Sequence, residues 1–139
     1  AVIQTTSPDS NIIHLAVRQD YDAFYNDEIL TRKMMVYPPF CDIAVLSVSS
    51  TVRETAIDTV NEIFENIKKL IENEFTDVKL HILGPSAASV PKINLRYRFR
   101  IIIKCRFNAR FREMIKKAMN IKRKGDVSLN IDVNPESVI

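Results

Sequence analysis

Residues 96–104 have the composition of a strand that binds anions. With the two-residue period of a strand, one face carries four cations and one isoleucine, namely Arg96, Arg98, Arg100, Ile102 and Lys104. The other face is aromatic and aliphatic and can be buried in a core. Like charges along one face repel each other, so this row needs an anionic partner or full solvation. Because a guanidinium group binds phosphate or carboxylate in bidentate fashion, an anion-binding surface is the leading interpretation.

The positive charge of the chain is concentrated around this run. The 139 residues have a formal net charge of +3, but residues 92–124 hold 13 of the 20 Lys and Arg and a single acid, Glu113, for a net charge of +12. The remaining residues sum to −9. Such a division of charge favours a specific anionic partner, and a solvated basic face without a partner is the alternative.

The chain lacks the residue patterns of common catalytic sites. Gly84 and Gly125 are its only glycines, whereas a Walker A loop, a dinucleotide-binding fingerprint and a nucleophile elbow each need several close together. The two cysteines and two histidines do not have the spacing of a zinc site. We therefore expect this chain to be non-catalytic and to hold no cofactor or metal.

The segment Tyr37-Pro-Pro-Phe40 divides the chain. Before it, the pattern predicts a short strand at residues 1–5, a helix at 11–18 and a second helix at about 20–35. The first proline ends the second helix, since a residue before proline is pushed out of the α region. We expect residues 1–36 to be a helical N-terminal extension cut from a longer protein, and residues 37–139 to be a separate domain.

The second part alternates strand and helix patterns. Strands are predicted at about 40–49, 78–83, 96–104 and 127–133, with helices at about 51–73 and 108–120. Gly84-Pro85 is expected to end the second strand and to begin a loop of about ten residues. The order βαββαβ predicts an α+β fold, a four-stranded antiparallel sheet with both helices on one face, which leaves the other face open for binding.

Several short motifs along the whole chain resemble the PriA (primosomal protein N-prime) family of replication-restart helicases. The end of the family's motor region is similar to Val2-Ile-Gln-Thr, His14, Asp20-Tyr-x-x-Phe24, Glu28, Arg32 and Tyr37-Pro-Pro-Phe40. The family's C-terminal domain is similar to Leu83-Gly-Pro85, Pro91-Lys92, Arg96-Tyr-Arg-Phe99 and Asp132-Val-Asn-Pro135. One departure is Asn94-Leu95, where the family often has glycine. By this resemblance, residues 1–36 are the end of the second helicase lobe.

The resemblance implies a non-catalytic domain of a larger ATP-dependent 3′–5′ DNA helicase. The ATP, Mg and zinc sites of such a helicase would lie outside these 139 residues. Implied partners are forked, branched or single-stranded DNA, the acidic tail of single-stranded DNA-binding protein and other primosome proteins, with no membrane. The implied location is the bacterial cytoplasm, in association with the nucleoid.

Two groups of residues are predicted to form the binding sites. DNA phosphates are expected to contact Lys92, Arg96, Arg98, Arg100, Lys104, Lys116, Lys122, Arg123 and Lys124. By the resemblance, the protein tail binds near the start of the second helix of the domain, and its terminal carboxylate is assigned to Arg106 or Arg110. The alternative is a protein-interaction module that binds acidic peptides without DNA affinity. A small hydrolase on a similar frame is the least favoured reading.

Overall fold

The computed structural model describes residues 2–122 and 125–136. The chain divides into two compact units, Ala1–Phe40 and Cys41–Ile139. Within the described residues, no helix has the length and apolar composition needed to cross a membrane.

The first unit contains two helices, α1 (Asn11–Arg18) and α2 (Tyr21–Met34). The Asp20 side chain caps α2 by accepting a 3.1 Å hydrogen bond from the Ala23 N–H, which satisfies one of the free donors of the first turn. The predicted helices agree with these bounds. The predicted strand at the N-terminus is wrong, because residues 2–5 pair with no described segment and a strand depends on hydrogen bonds to a neighbour.

The second unit is the βαββαβ domain. Its elements are β1 (Asp42–Ser50), α3 (Arg53–Asn73), β2 (His81–Ile93), β3 (Arg96–Cys105), α4 (Ala109–Ala118) and β4 (Ser128–Val133). The four strands form one antiparallel sheet in the order β2-β3-β1-β4. The predicted α+β fold is therefore confirmed.

The core of this domain lies between one sheet face and the two helices. Alternate residues of β1 and β3 point into it, where they meet side chains at spacings of three and four along α3. The fully buried members include Ala44, Leu46, Val48, Ile63, Ile67, Phe75, Ile101, Ile103, Phe111 and Met114. Each large member contributes about 1.5–3 kcal/mol by burial. Phe99 packs against the same core.

Strand β2 differs from the prediction. It continues through Gly84-Pro85 to Ile93, with register shifts between Leu83 and Ser86 and between Ala87 and Lys92. Gly84 has φ +100°, and a Cβ there would lie 3.0 Å from the Arg100 carbonyl oxygen. The glycine therefore permits an irregular strand that passes close to β3, where the sequence pattern indicated a turn.

Candidate nucleic-acid interface

The sheet face opposite the helices carries the predicted cations of β3 beside small polar residues. Residues that are paired across strands share a face, and Arg100 pairs with Ser47, which pairs in turn with Asn130 of β4. In the neighbouring row, Arg98 pairs with Ser49. This side of β1, β3 and β4, called the open face below, is therefore lined with hydrogen-bond donors.

A cavity of about 240 Å³ lies on the open face. It is lined by Val45, Ser47, Ala88, Ser89, Val90, Arg98, Arg100, Asn130, Asp132 and Pro135. The irregular part of β2 forms one wall, and β4 forms the opposite wall. The cavity is thus a product of the β2 bulges, which the sequence pattern did not reveal.

The charge of Arg98 in this cavity is not neutralised by an ion pair with any residue that the structure describes. Among residues 2–122 and 125–136, no hydrogen bond or ion pair to its guanidinium is found. Asp132 is the acid on the cavity wall, but β4 lies two strands from β3, about 10 Å away at normal strand spacing. Two guanidinium groups with nearby hydroxyl and amide groups form a suitable environment for a phosphate.

Arg96 lies on the same strand but contacts other groups of the domain. Its Nε donates to the Ser49 hydroxyl at 3.2 Å, and its Nη2 donates to the Ser49 carbonyl at 3.0 Å. Its Nη1 forms a 2.8 Å ion pair with Asp126, in the turn before β4. Arg96 therefore ties β1, β3 and this turn together. Its DNA contact stays a prediction, separate from those of Arg98 and Arg100.

Asp126 is itself held by several donors. The hydroxyl of buried Ser50 donates to it at 2.6 Å, and the Thr51 N–H donates at 3.1 Å. These bonds, that from Ser50 foremost, lower the pKa of the Asp126 carboxyl to about 2. It is consequently ionised at neutral pH and can anchor Arg96.

Arg110, one of the two residues predicted to bind the protein tail, is extensively engaged. Its guanidinium stacks 4.1 Å above the buried Phe75 ring and forms ion pairs with Asp77 at 3.4 Å and Glu113 at 3.3 Å. It also donates to the Glu74 carbonyl at 2.8 Å. These contacts fix the first turn of α4 against the end of α3.

Arg106, the other predicted residue, lies in the exposed loop between β3 and α4. In the part of the chain that the structure describes, it forms no hydrogen bond or ion pair. The loop beside it is anchored, since the Phe107 N–H donates to Asp42 at 2.8 Å. This bond is the main cause that lowers the pKa of the Asp42 carboxyl. The adjacent Phe107 ring is 40% exposed.

Asn134, directly after β4, supports the same loop through Asp42. Its side-chain amide donates to Asp42 at 3.0 Å, and its Oδ1 accepts from the Ile43 N–H at 2.9 Å. Asp42 and Asn134 thus position the loop that carries Arg106, although sequence reasoning did not assign them a role. The available signal was the Asn-Pro pair directly after the last strand.

The other predicted basic residues lie on different sides of the domain. Lys92 pairs with Tyr97 on the helix side of the sheet, where its ammonium group lies 4.6 Å from the ring centroid. Lys104 is on the open face, opposite Ile43. Lys116 is exposed on α4 and Lys122 follows that helix. The predicted contacts of Arg123 and Lys124 fall outside the described residues.

No group of three or more potential metal ligands occurs within residues 2–122 and 125–136. The thiols of Cys41 and Cys105 are both buried, and burial raises their pKa values, for Cys105 to about 12.

A model of the family described as the primosomal protein N C-terminal domain matches residues 33–136. The chain belongs to this family. The resemblance predicted from the sequence motifs is thereby confirmed, and three of those motifs have visible structural roles. Gly84 permits the close approach of β2 to β3, and Arg96 ties β1 to β3. Asn134 donates to Asp42, which in turn accepts from the Phe107 N–H in the loop before α4.

The chain is also similar to longer relatives named replication restart protein PriA. It is 32% identical over 139 residues to that of Borreliella burgdorferi, covering 99% of this chain and 20% of the relative. It is 33% identical over 138 residues to that of Bacillus subtilis, covering 96% of this chain and 16% of the relative. The chain therefore spans a fifth or less of the length of these relatives.

Proposed function

We propose that this domain binds the phosphates of forked or branched DNA through its open face. Arg98 and Arg100 are the central residues of this site, because both line one cavity beside Ser47 and Asn130. The observation that carries the proposal is the cationic cavity, in which the described residues supply no ion pair to Arg98. Phosphate contacts of this kind supply affinity with little sequence preference.

The parent protein is part of the same proposal. In it, the domain would serve an ATP-dependent DNA helicase that restarts replication in the bacterial cytoplasm, at the nucleoid, with other primosome proteins. ATP, Mg and zinc would be bound by parts of the parent outside this chain. The names of the relatives, replication restart protein PriA, support this placement.

A second site in the domain is proposed for the acidic tail of single-stranded DNA-binding protein. Between the two predicted residues, the geometry favours Arg106 for the terminal carboxylate, since the guanidinium of Arg110 already contacts Asp77 and Glu113. The exposed Phe107 ring beside Arg106 offers an apolar contact for an aromatic residue of the tail. Arg110 would then stabilise the site indirectly, by holding the first turn of α4 through its contacts with Phe75, Asp77 and Glu113.

The DNA proposal is tested by fluorescence anisotropy of labelled forked DNA with the 139-residue chain and its variants. Arg98→Ala should weaken binding about 5- to 30-fold, as expected for one charged contact, and should lower the slope of log affinity against log salt by about 1. Arg53→Ala removes the same charge from the exposed start of α3 and is the matched control. Equal losses for the two variants would assign the effect to net charge and contradict a site on the open face.

The alternative function, a module for acidic peptides alone, is tested by titrating a peptide that ends in Asp-Phe-Pro-Phe. Peptide binding without measurable DNA binding would favour the alternative. Under the present proposal the domain binds both the peptide and forked DNA, and Arg106→Ala weakens the binding of the peptide but not that of DNA. If Arg110→Ala abolishes peptide binding without a change in the melting temperature, the carboxylate is bound by Arg110 instead.

A further inference from the structure

The tip of the β2–β3 hairpin holds a leucine in a backbone conformation that suits glycine. The turn has two central residues, Asn94 with φ +48° and Leu95 with φ +62°. A two-residue turn with both φ values positive favours Asn followed by Gly, because a Cβ at the second position meets the neighbouring carbonyl oxygen. Asn94 fits this preference, and Leu95 opposes it.

Packing against the described residues of the domain does not compensate the strain at Leu95. Its side chain is 75% exposed, and it joins neither of the apolar clusters of the described residues. Ile93, on the adjoining strand, is also 42% exposed. A residue held in a strained backbone conformation without a stabilising internal contact is typical of a functional position. At such a position, a contact with another molecule accounts for the presence of the unfavourable side chain.

The surroundings of the tip favour a polyanion as the source of that contact. The hairpin strands, residues 81–105, contain no acidic residue. Lys92 lies on the helix side of the hairpin and Arg98 on the open side, so cations flank the apolar tip on both faces. This arrangement is complementary to two nucleic-acid strands that separate at the tip and pass on either side.

We propose that Leu95 is an apolar wedge that contacts the base pair at a DNA branch point. Leucine is one of the side chains that proteins insert against or between base steps, while nearby cations bind the backbone phosphates. The inference rests on the proposed DNA binding and deepens it, since it locates the branch point of the fork at the hairpin tip. A pocket on another protein is the competing occupant.

The test uses the 139-residue chain and forked DNA with 2-aminopurine in the base pair next to the branch. Wild-type protein should raise the 2-aminopurine fluorescence at the branch and leave it unchanged in an unbranched duplex of the same sequence. Leu95→Gly should abolish the rise yet reduce affinity by less than about threefold, because the phosphate contacts remain. The same variant should raise the melting temperature by about 4 °C or more, since glycine relieves the strain. Leu95→Ala keeps the strained backbone, so it should abolish the rise in 2-aminopurine fluorescence without raising the melting temperature.

Each contrary outcome is decisive. If both variants retain the rise, or if the wild type binds the fork without one, the wedge is wrong while DNA binding stands. A lower melting temperature for Leu95→Gly would show that the leucine stabilises the domain itself, which also contradicts the inference. Absence of any binding to forked DNA by the wild type would overturn the proposed function together with the wedge.

Discussion

Arg96 and Arg98 are two residues apart on one strand, and the structure predicts opposite consequences for their removal. Arg96 connects β3 to Ser49 of β1 and to Asp126 before β4, so its loss should reduce the stability of the domain. Arg98 forms no bond or ion pair within the described residues, so its loss should reduce DNA binding and spare stability.

The expected size of the Arg96 effect follows from its contacts. A hydrogen bond contributes a net 0.5–1.5 kcal/mol or so, and Arg96 makes two to Ser49 from a side chain that is 31% exposed. The ion pair with Asp126 adds little, because solvent screens exposed charges. Arg96→Ala should therefore cost about 2 kcal/mol, which for a domain of this size lowers the melting temperature by about 10 °C.

Thermal unfolding followed by circular dichroism at pH 7 checks this prediction. Arg98→Ala, the matched control, should change the melting temperature by no more than about 2–3 °C. Arg96→Lys should fall between the two, since an ammonium group keeps the charge but cannot make the forked contacts to Ser49. Similar melting temperatures for Arg96→Ala and Arg98→Ala would refute the structural role of Arg96.

Three further predictions concern other parts of the domain. In the folded domain the pKa of the Asp126 carboxyl is about 2, against an ordinary 3.8, because Ser50 donates a hydrogen bond to it. The contribution of this carboxylate to the free energy of unfolding is therefore complete above about pH 4 and is lost as the pH falls through 2. Asp126→Asn should flatten that part of the stability–pH curve in urea titrations, and an unchanged curve would contradict the assignment. Gly84→Ala should destabilise the domain by about 1–3 kcal/mol, because the added Cβ would lie 3.0 Å from the Arg100 carbonyl oxygen in a backbone with φ +100°. The loss is measured as a lower midpoint of urea unfolding. A midpoint equal to that of the wild type would show that β2 adapts to the added methyl group. Cys105, whose pKa burial raises to about 12, should resist iodoacetamide at pH 8 until urea unfolds the domain, and mass spectrometry that finds rapid native labelling would disprove its burial.

Hydrophobic periodicity was sufficient to predict the fold. The apolar spacing along α3 and the alternation in β3 each depend on neighbouring residues, and together they define which face of each element meets the core. The order of the elements then leaves few topologies, of which the antiparallel βαββαβ sheet is a common one.

The division of roles among the cations could not be predicted in the same way. In sequence, Arg96 and Arg98 are equivalent members of one strand face. The contacts that distinguish Arg96 come from Ser49, 47 residues before it, and from Asp126, 30 residues after it. Arg110 is likewise occupied by Asp77, 33 residues before it. The cavity depends on the path of β2 beyond Gly84, where a turn signal gave the wrong local structure. Such contacts are determined by tertiary packing and cannot be predicted from a local sequence pattern.

The most direct test of the open face as the DNA-binding surface is a ¹H–¹⁵N chemical-shift map of the chain titrated with forked DNA. Saturable shifts are predicted at Ser47, Arg98, Arg100 and Asn130, with no comparable change on the exposed side of α3. Shifts confined to the helices, or an absence of saturable shifts at low salt, would contradict the proposal that this face binds DNA.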